Sequence, residues 1–209
     1  MRGILEKIKK TGIIPVVTID DAACALPLAK ALIDGGIPCA EVTFRTAEGE
    51  KALKIIKEAY PDIILGAGTV LTPEQAKKAK DAGASFAVSP GFNPKVVDWC
   101  LANDLPIIPG CITPTEMERA IERGFEAVKF FPAEQAGGVN FIKAVSEPYP
   151  MLNFVATGGI GPHNLEDYLS FPKVIACGGS WLVKPELLNA GRYDEITRLC
   201  KEAVEGIRI

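Results

Sequence analysis

Short apolar runs recur along the chain, and between them apolar and polar residues alternate at helical spacing. The runs are Gly12–Thr18, Pro38–Arg45, Ile63–Thr69, Ser85–Pro90, Pro106–Pro109, the stretch from Glu126 that Pro132 breaks, Asn153–Thr157 and Val174–Cys177. Each reads as a strand. Helix starts are marked by Asp20-Asp21, Thr72-Pro73, Asn93-Pro94 and Thr113-Pro114, where a capping side chain stands before the first turn. Helix ends are marked by Gly35-Gly36, Gly83 and Gly124. Further helices are expected over about 47–59, from Gly137-Gly138 to about Val145, near Asn164–Leu169, and from Trp181 to an amphipathic segment ending near Ile207. A short amphipathic helix over 3–10 precedes the first strand.

Strands that alternate with helices form a parallel sheet buried on both faces. Eight such strands, with starts roughly 20–25 residues apart, predict an α/β fold of the (β/α)₈ TIM-barrel type. The prediction is one domain spanning 1–209 with an extra N-terminal helix. A doubly wound open sheet is the alternative. It would ordinarily carry a glycine-rich turn after the first strand, and Thr18-Ile-Asp-Asp21 has none.

Two strands break the apolar pattern. In Ala127-Val-Lys-Phe-Phe131, period two sets Ala127, Lys129 and Phe131 on one face and Val128 and Phe130 on the other. Burying an ammonium costs several kcal/mol unless it is paired or gives up its proton. A desolvated lysine that loses its proton is a nucleophile toward carbonyls. The competing reading is an edge lysine whose stem carries the charge to water. In Cys39-Ala-Glu-Val-Thr-Phe-Arg45, Glu41 and Arg45 share a face with Cys39 and Thr43, opposite Ala40, Val42 and Phe44. If the apolar face packs on helices, the charged one points into the barrel or its mouth. Strands two and six have the same parity, so Glu41 and Lys129 are expected to share an interior layer. That makes a proton-transfer and Schiff-base pair, or else a structural ion pair that fills the barrel.

Glycine turns follow the seventh and eighth strands, Thr157-Gly-Gly-Ile-Gly161 and Gly178-Gly-Ser180. Glycines let backbone N–H groups approach an anion, and loops at these strand ends are the usual phosphate seat of this fold. Thr69 and Pro90 also fall at strand ends, where, read alone, such residues more often serve turn chemistry than ligand contact.

Composition narrows the chemistry further. The chain has 209 residues, net charge −3 and no basic cluster, so nucleic acid and anionic membranes are not expected partners. No apolar run is long enough to span a membrane, and the charged N-terminus lacks a signal peptide's core. Six cysteines are scattered without a CxxC pair, which fits reduced thiols and a cytoplasmic protein. The single histidine, His163, makes a zinc site unexpected, and no GxSxG motif supports a serine triad. His163, Trp99 and Trp181 read as surface or packing residues.

Six motifs occur in order: Glu41-Val-Thr-Phe-Arg45, Gly66-Ala-Gly-Thr-Val70, Val88-Ser-Pro-Gly91, Val128-Lys-Phe-Phe-Pro-Ala-Glu134, Thr157-Gly-Gly-Ile160 and Gly178-Gly-Ser-Trp-Leu182. Together, over about residues 12–184, they resemble the 2-keto-3-deoxy-6-phosphogluconate (KDPG) aldolase family, also described as 4-hydroxy-2-oxoglutarate (KHG) aldolase. The resemblance implies a metal- and cofactor-independent class I aldolase, commonly a homotrimer. Such an enzyme cleaves the phosphorylated keto-deoxy sugar acid to pyruvate and glyceraldehyde 3-phosphate. It implies Lys129 as the Schiff-base lysine and Glu41 as general acid/base. Arg45 and Thr69 would hold the pyruvate carboxylate, and Pro90 and Phe131 would line the pocket. Gly158, Gly159, Gly179 and Ser180 would carry the phosphate end. Ala156 stands where many members have proline, and Gly110-Cys-Ile-Thr-Pro-Thr115 also departs from the family pattern. The turns do not fix the C4 configuration, so the galactonate epimer is an alternative substrate. A barrel that binds a phospho-metabolite without turning it over is the alternative from outside enzymology.

Overall fold

The local rules that mark helix starts are obeyed atom by atom. Thr72 Oγ1 accepts from Gln75 N (3.2 Å), Asn93 Oδ1 from Lys95 N (3.1 Å) and Asp21 Oδ1 from Ala23 N (2.9 Å). Thr113 and Glu116 form a full capping box, with Glu116 Oε2 also accepting from Ile112 N at 2.9 Å. The computed structural model describes residues 2–207. Met1, Arg208 and Ile209, which the expected domain 1–209 includes, lie outside the described residues.

Eight parallel strands are present: β1 (Ile13–Val17), β2 (Cys39–Thr43), β3 (Ile64–Gly68), β4 (Phe86–Val88), β5 (Ile107–Ile108), β6 (Ala127–Phe130), β7 (Asn153–Thr157) and β8 (Val174–Gly179). They form one sheet in the order β5-β4-β3-β2-β1-β8-β7-β6. The two ends of that order meet through Lys129. Its N–H donates to Pro109 O at 2.8 Å, and its carbonyl accepts from Cys111 N at 2.9 Å, an isolated parallel bridge to Gly110. The barrel is thus closed at the backbone of the residue whose side chain is the candidate nucleophile. Proline explains why β5 is so short: Pro106 and Pro109 bracket it, and neither can donate to a ladder.

The helices are α1 (Arg2–Thr11), α2 (Ala25–Asp34), α3 (Glu48–Ala59), α4 (Pro73–Asp81), α5 (Pro94–Ala102), α6 (Pro114–Glu122), α7 (Gly138–Ser146), α8 (Leu165–Leu169), α9 (Pro185–Asn189) and α10 (Tyr193–Gly206). The expected additional N-terminal helix is α1. It buries Leu5 and Ile8, and Arg2 pairs with Glu126 at the start of β6 (2.5 Å). None of the described helices is long and apolar enough to cross a membrane.

The outward face of β6 packs as its pattern requires. The Phe130 ring stacks on Phe141 of α7 at 5.5 Å and meets Phe154 of β7 edge-on at 6.5 Å. Three local expectations are corrected. The helix expected from Asp21 starts as a 3₁₀ turn over Ala22–Cys24 before α2. The stretch after Trp181 becomes helical only at Pro185. Gly178 and Gly179 are strand rather than turn: Gly178 pairs with Ile14 and Thr157, and Gly179 with Pro15. A Cβ on Gly179 would fall 1.6 Å from the Trp181 ring, so this glycine makes room for a tryptophan.

Candidate active site

Burial sorts the charged groups. Most ion pairs in the described residues join exposed side chains, but Lys129 is only 6% exposed and Glu41 3%. Lys129 Nζ donates to Glu41 Oε1 at 3.2 Å, from strands that approach from opposite sides of the barrel. Of the two sequence readings of the lysine, the edge position is ruled out, and the pairing offsets its burial. A lone half of this pair would be an uncompensated buried charge.

Glycines on β3 create the space for the carboxylate. A Cβ on Gly68 would lie 2.4 Å from Glu41 Oε1, and one on Gly66 would lie 2.4 Å from the Phe86 ring. So β3 presents bare backbone while β2 and β4 fill the interior beside it. The next residue, Thr69, has φ +59°, a left-handed conformation that β-branched residues rarely adopt. Strain of this kind costs about 1–3 kcal/mol and gathers at functional sites.

A cavity of about 250 Å³ opens at the C-terminal ends of the strands. Its walls are Val16 and Thr18 from the end of β1, Arg45 after β2, Phe131 after β6, Thr157–Ile160 after β7, and Gly178, Gly179 and Ser180 from β8. Lys129 Nζ lies 5.3 Å from the ring centre of Phe131, one of the wall residues. Six of the expected site residues therefore come together around one cavity: Arg45, Phe131, Gly158, Gly159, Gly179 and Ser180. Arg45 lies beyond the end of β2, exposed, with no acidic partner among the described residues. It stands at the mouth rather than inside.

Lys129, Glu41, Thr69 and Pro90 are not in the walls of this cavity. Thr69 directly follows Gly68, whose Cα faces the Glu41 carboxylate. Pro90 packs its carbonyl on Gly110, where a Cβ would lie 2.1 Å from the oxygen, and Gly110 is the bridge partner of Lys129. Both flank the ion pair from the β3–β5 side. A larger groove of about 300 Å³, beside Pro162, Leu165, Trp181 and Ala203, touches none of the expected residues.

The sequence reading missed three hydroxyls. Thr157 is 7% exposed, lines the cavity, and its Oγ1 has no hydrogen-bond partner among the described residues. An unmet buried hydroxyl is destabilising unless a ligand or water completes it. Thr18 Oγ1 shares a 3.0 Å hydrogen bond with the fully buried Thr43 Oγ1. The available signal was parity: Thr43 lies two residues beyond Glu41, and Thr157 falls on the inward face of β7.

Five of the six cysteines, all but Cys24, are buried in the core. All six are free thiols, and burial pushes Cys100 up to about 11 and Cys111 and Cys200 up to about 12, with Glu116 adding to the effect at Cys111.

Comparison with known proteins decides the family. The KDPG and KHG aldolase model matches residues 4–199. The chain belongs to the KDPG and KHG aldolase family. A 2-dehydro-3-deoxy-phosphogluconate aldolase of Treponema pallidum (strain Nichols) is 50% identical over 205 residues, 98% of each chain. Among solved structures, a KDPG aldolase of Legionella pneumophila holds pyruvate captured at low pH as a covalent carbinolamine. It superposes with a TM-score of 0.92 at 40% identity, covering 95% of this chain and 97% of that one. A Zymomonas mobilis ZM4 KDPG aldolase with 3-phosphoglycerate matches with a TM-score of 0.88 at 35% identity, over 95% and 94% of the two chains.

Proposed function

We propose that this KDPG/KHG-family chain is a class I aldolase that cleaves 2-dehydro-3-deoxy-6-phosphogluconate to pyruvate and glyceraldehyde 3-phosphate, and 4-hydroxy-2-oxoglutarate to pyruvate and glyoxylate. The observation that carries it is the buried Lys129–Glu41 contact, with Lys129 Nζ 5.3 Å from the centre of the Phe131 ring that walls the cavity. The named relatives and the covalent pyruvate adduct in the Legionella protein support the same reading.

The contact supplies the proton traffic. Lys129 Nζ gives a proton to Glu41, and the neutral amine attacks the C2 ketone to form a carbinolamine. Glu41 returns the proton to the departing oxygen, water leaves, and an iminium joins C2 to Nζ. Glu41, again a carboxylate, takes the C4 hydroxyl proton. The C3–C4 bond breaks, its electron pair flows to the iminium nitrogen, and the aldehyde and an enamine result. Glu41 then protonates C3, and water hydrolyses the iminium to pyruvate and the starting ammonium. The iminium itself is the electron sink, so the reading calls for no cofactor or metal.

Around that chemistry, Arg45 and Thr69 take the keto-acid carboxylate, while Phe131 and Pro90 shield the Schiff base from water. The phosphate sits on Gly158, Gly159, Gly179 and Ser180, held mainly by backbone N–H groups. The cavity walls carry one cation, Arg45, and it stands at the mouth. The assembly proposed with this function is a cytoplasmic homotrimer, checked by light scattering on purified protein.

The test is pyruvate release from three substrates: the gluconate-configured phosphate, its C4 galactonate epimer, and 4-hydroxy-2-oxoglutarate. Preference for the first supports the proposal. Preference for the epimer moves the substrate assignment, and no turnover of any of them refutes the aldolase reading.

A further inference from the structure

Glu134 closes the motif that begins at Val128, yet it has no part in the chemistry above. Its surroundings give it another task. After β6 the chain keeps pairing with the Gly158–Gly159 turn: Ala133 N donates to Thr157 O at 2.8 Å, and Glu134 N to Gly158 O at 3.1 Å. Gly159 has space only for hydrogen on the side facing Glu134, since a Cβ there would lie 2.7 Å from Glu134 Cβ and Cγ. On the other side, Asn164 Nδ2 donates to Gly159 O (3.2 Å), and Asn164 Oδ1 accepts from Gly161 N (2.9 Å). Both glycines hold left-handed φ values, +105° and +76°, so the turn's shape depends on what grips it.

One side-chain bond joins the two sides of that grip. Tyr168, on α8 beyond the turn and only 1% exposed, donates its hydroxyl to Glu134 Oε1. The phenol is fixed by burial, while the exposed loop bearing Glu134 is fixed by the phenol. We infer that the Tyr168–Glu134 hydrogen bond is a positioning contact that holds the Gly158–Gly159 turn at the spacing needed for the substrate's terminal phosphate. Neither residue touches substrate; they act through the backbone they hold. The inference rests on the phosphate seat assigned under the proposed function.

The test compares Tyr168→Phe with wild type on two substrates, the 6-phosphorylated keto-deoxy acid and unphosphorylated 4-hydroxy-2-oxoglutarate, alongside borohydride trapping of pyruvate. Phenylalanine keeps the ring and removes only the donor. The expected result is a KM for the phosphorylated substrate raised about tenfold, with kcat within about twofold and KM for the unphosphorylated acid unchanged. Pyruvate trapping stays at the wild-type level. Glu134→Ala reproduces the effect, and Glu134→Gln, which retains an acceptor oxygen, largely restores the wild-type KM. If Tyr168→Phe shifts both substrates equally, or shifts neither, the inference is overturned and the bond only steadies α8. Wild-type protein that turns over neither substrate would instead sink the aldolase reading, so the two failures are distinguishable.

Discussion

The foot of the site and its rim are built in opposite ways. At the foot, two strands aim two buried side chains at one another, and β3 withdraws its own side chains at Gly66 and Gly68 to let that happen. At the rim the side chains are withdrawn, and backbone at Gly158, Gly159 and Gly179 forms the wall. The foot is fixed by packing, since the barrel's core presses on it from all sides. The rim is fixed by loop-to-loop hydrogen bonds such as Glu134 N to Gly158 O. Damage to the foot should therefore abolish chemistry, whereas damage to the rim should weaken binding of the phosphate end and leave the carbonyl chemistry intact.

The strongest way to break the contrast is Lys129→Ala. Turnover should fall by at least about 10⁴-fold as the nucleophile is lost. Glu41 is then stranded, which costs about 3–5 kcal/mol of stability in denaturant melts. A Lys129→Met/Glu41→Gln double variant should recover much of that stability and stay inactive. Next comes Glu41→Gln, with kcat down by about 10²–10⁴-fold, while a pyruvate adduct still forms on Lys129 but more slowly, its formation falling less than turnover. If adduct formation and turnover fall together, the carboxylate serves the lysine alone.

Gly68→Ala sharpens the account of the foot, because its Cβ would lie 2.4 Å from Glu41 Oε1. The displaced carboxylate should lower kcat about 10²-fold, with little change in KM. At the rim, Thr157→Val should have the smallest effect. It removes a buried hydroxyl with no partner among the described residues, so stability should hold or rise by up to about 1 kcal/mol while KM increases. A stability loss on that change would mean that the hydroxyl already has a partner in solution.

The same contrast explains what could be read from the sequence. The barrel was legible because each strand is a short apolar run and most helices announce their starts, as Thr72-Pro73 and Thr113-Pro114 do. Glu41 and Lys129 were legible because a charge at inward parity in an apolar strand has few explanations. The rim was harder. Gly178 and Gly179 read as a turn although they extend β8, since glycine signals a turn and a side-chain-free strand alike. The left-handed backbone of Thr69 carries no local sequence signal, and the parity that turns Thr157 inward does not show that its hydroxyl lacks a partner. Both arise from how distant loops converge, which only the folded chain displays.

The most direct test is to incubate the wild-type protein with pyruvate, reduce it with borohydride and map the adduct by intact mass and peptide analysis. The account predicts a single pyruvyl addition, located on Lys129 and missing from Lys129→Ala. No addition to the wild-type protein, or addition at any other lysine, would contradict it.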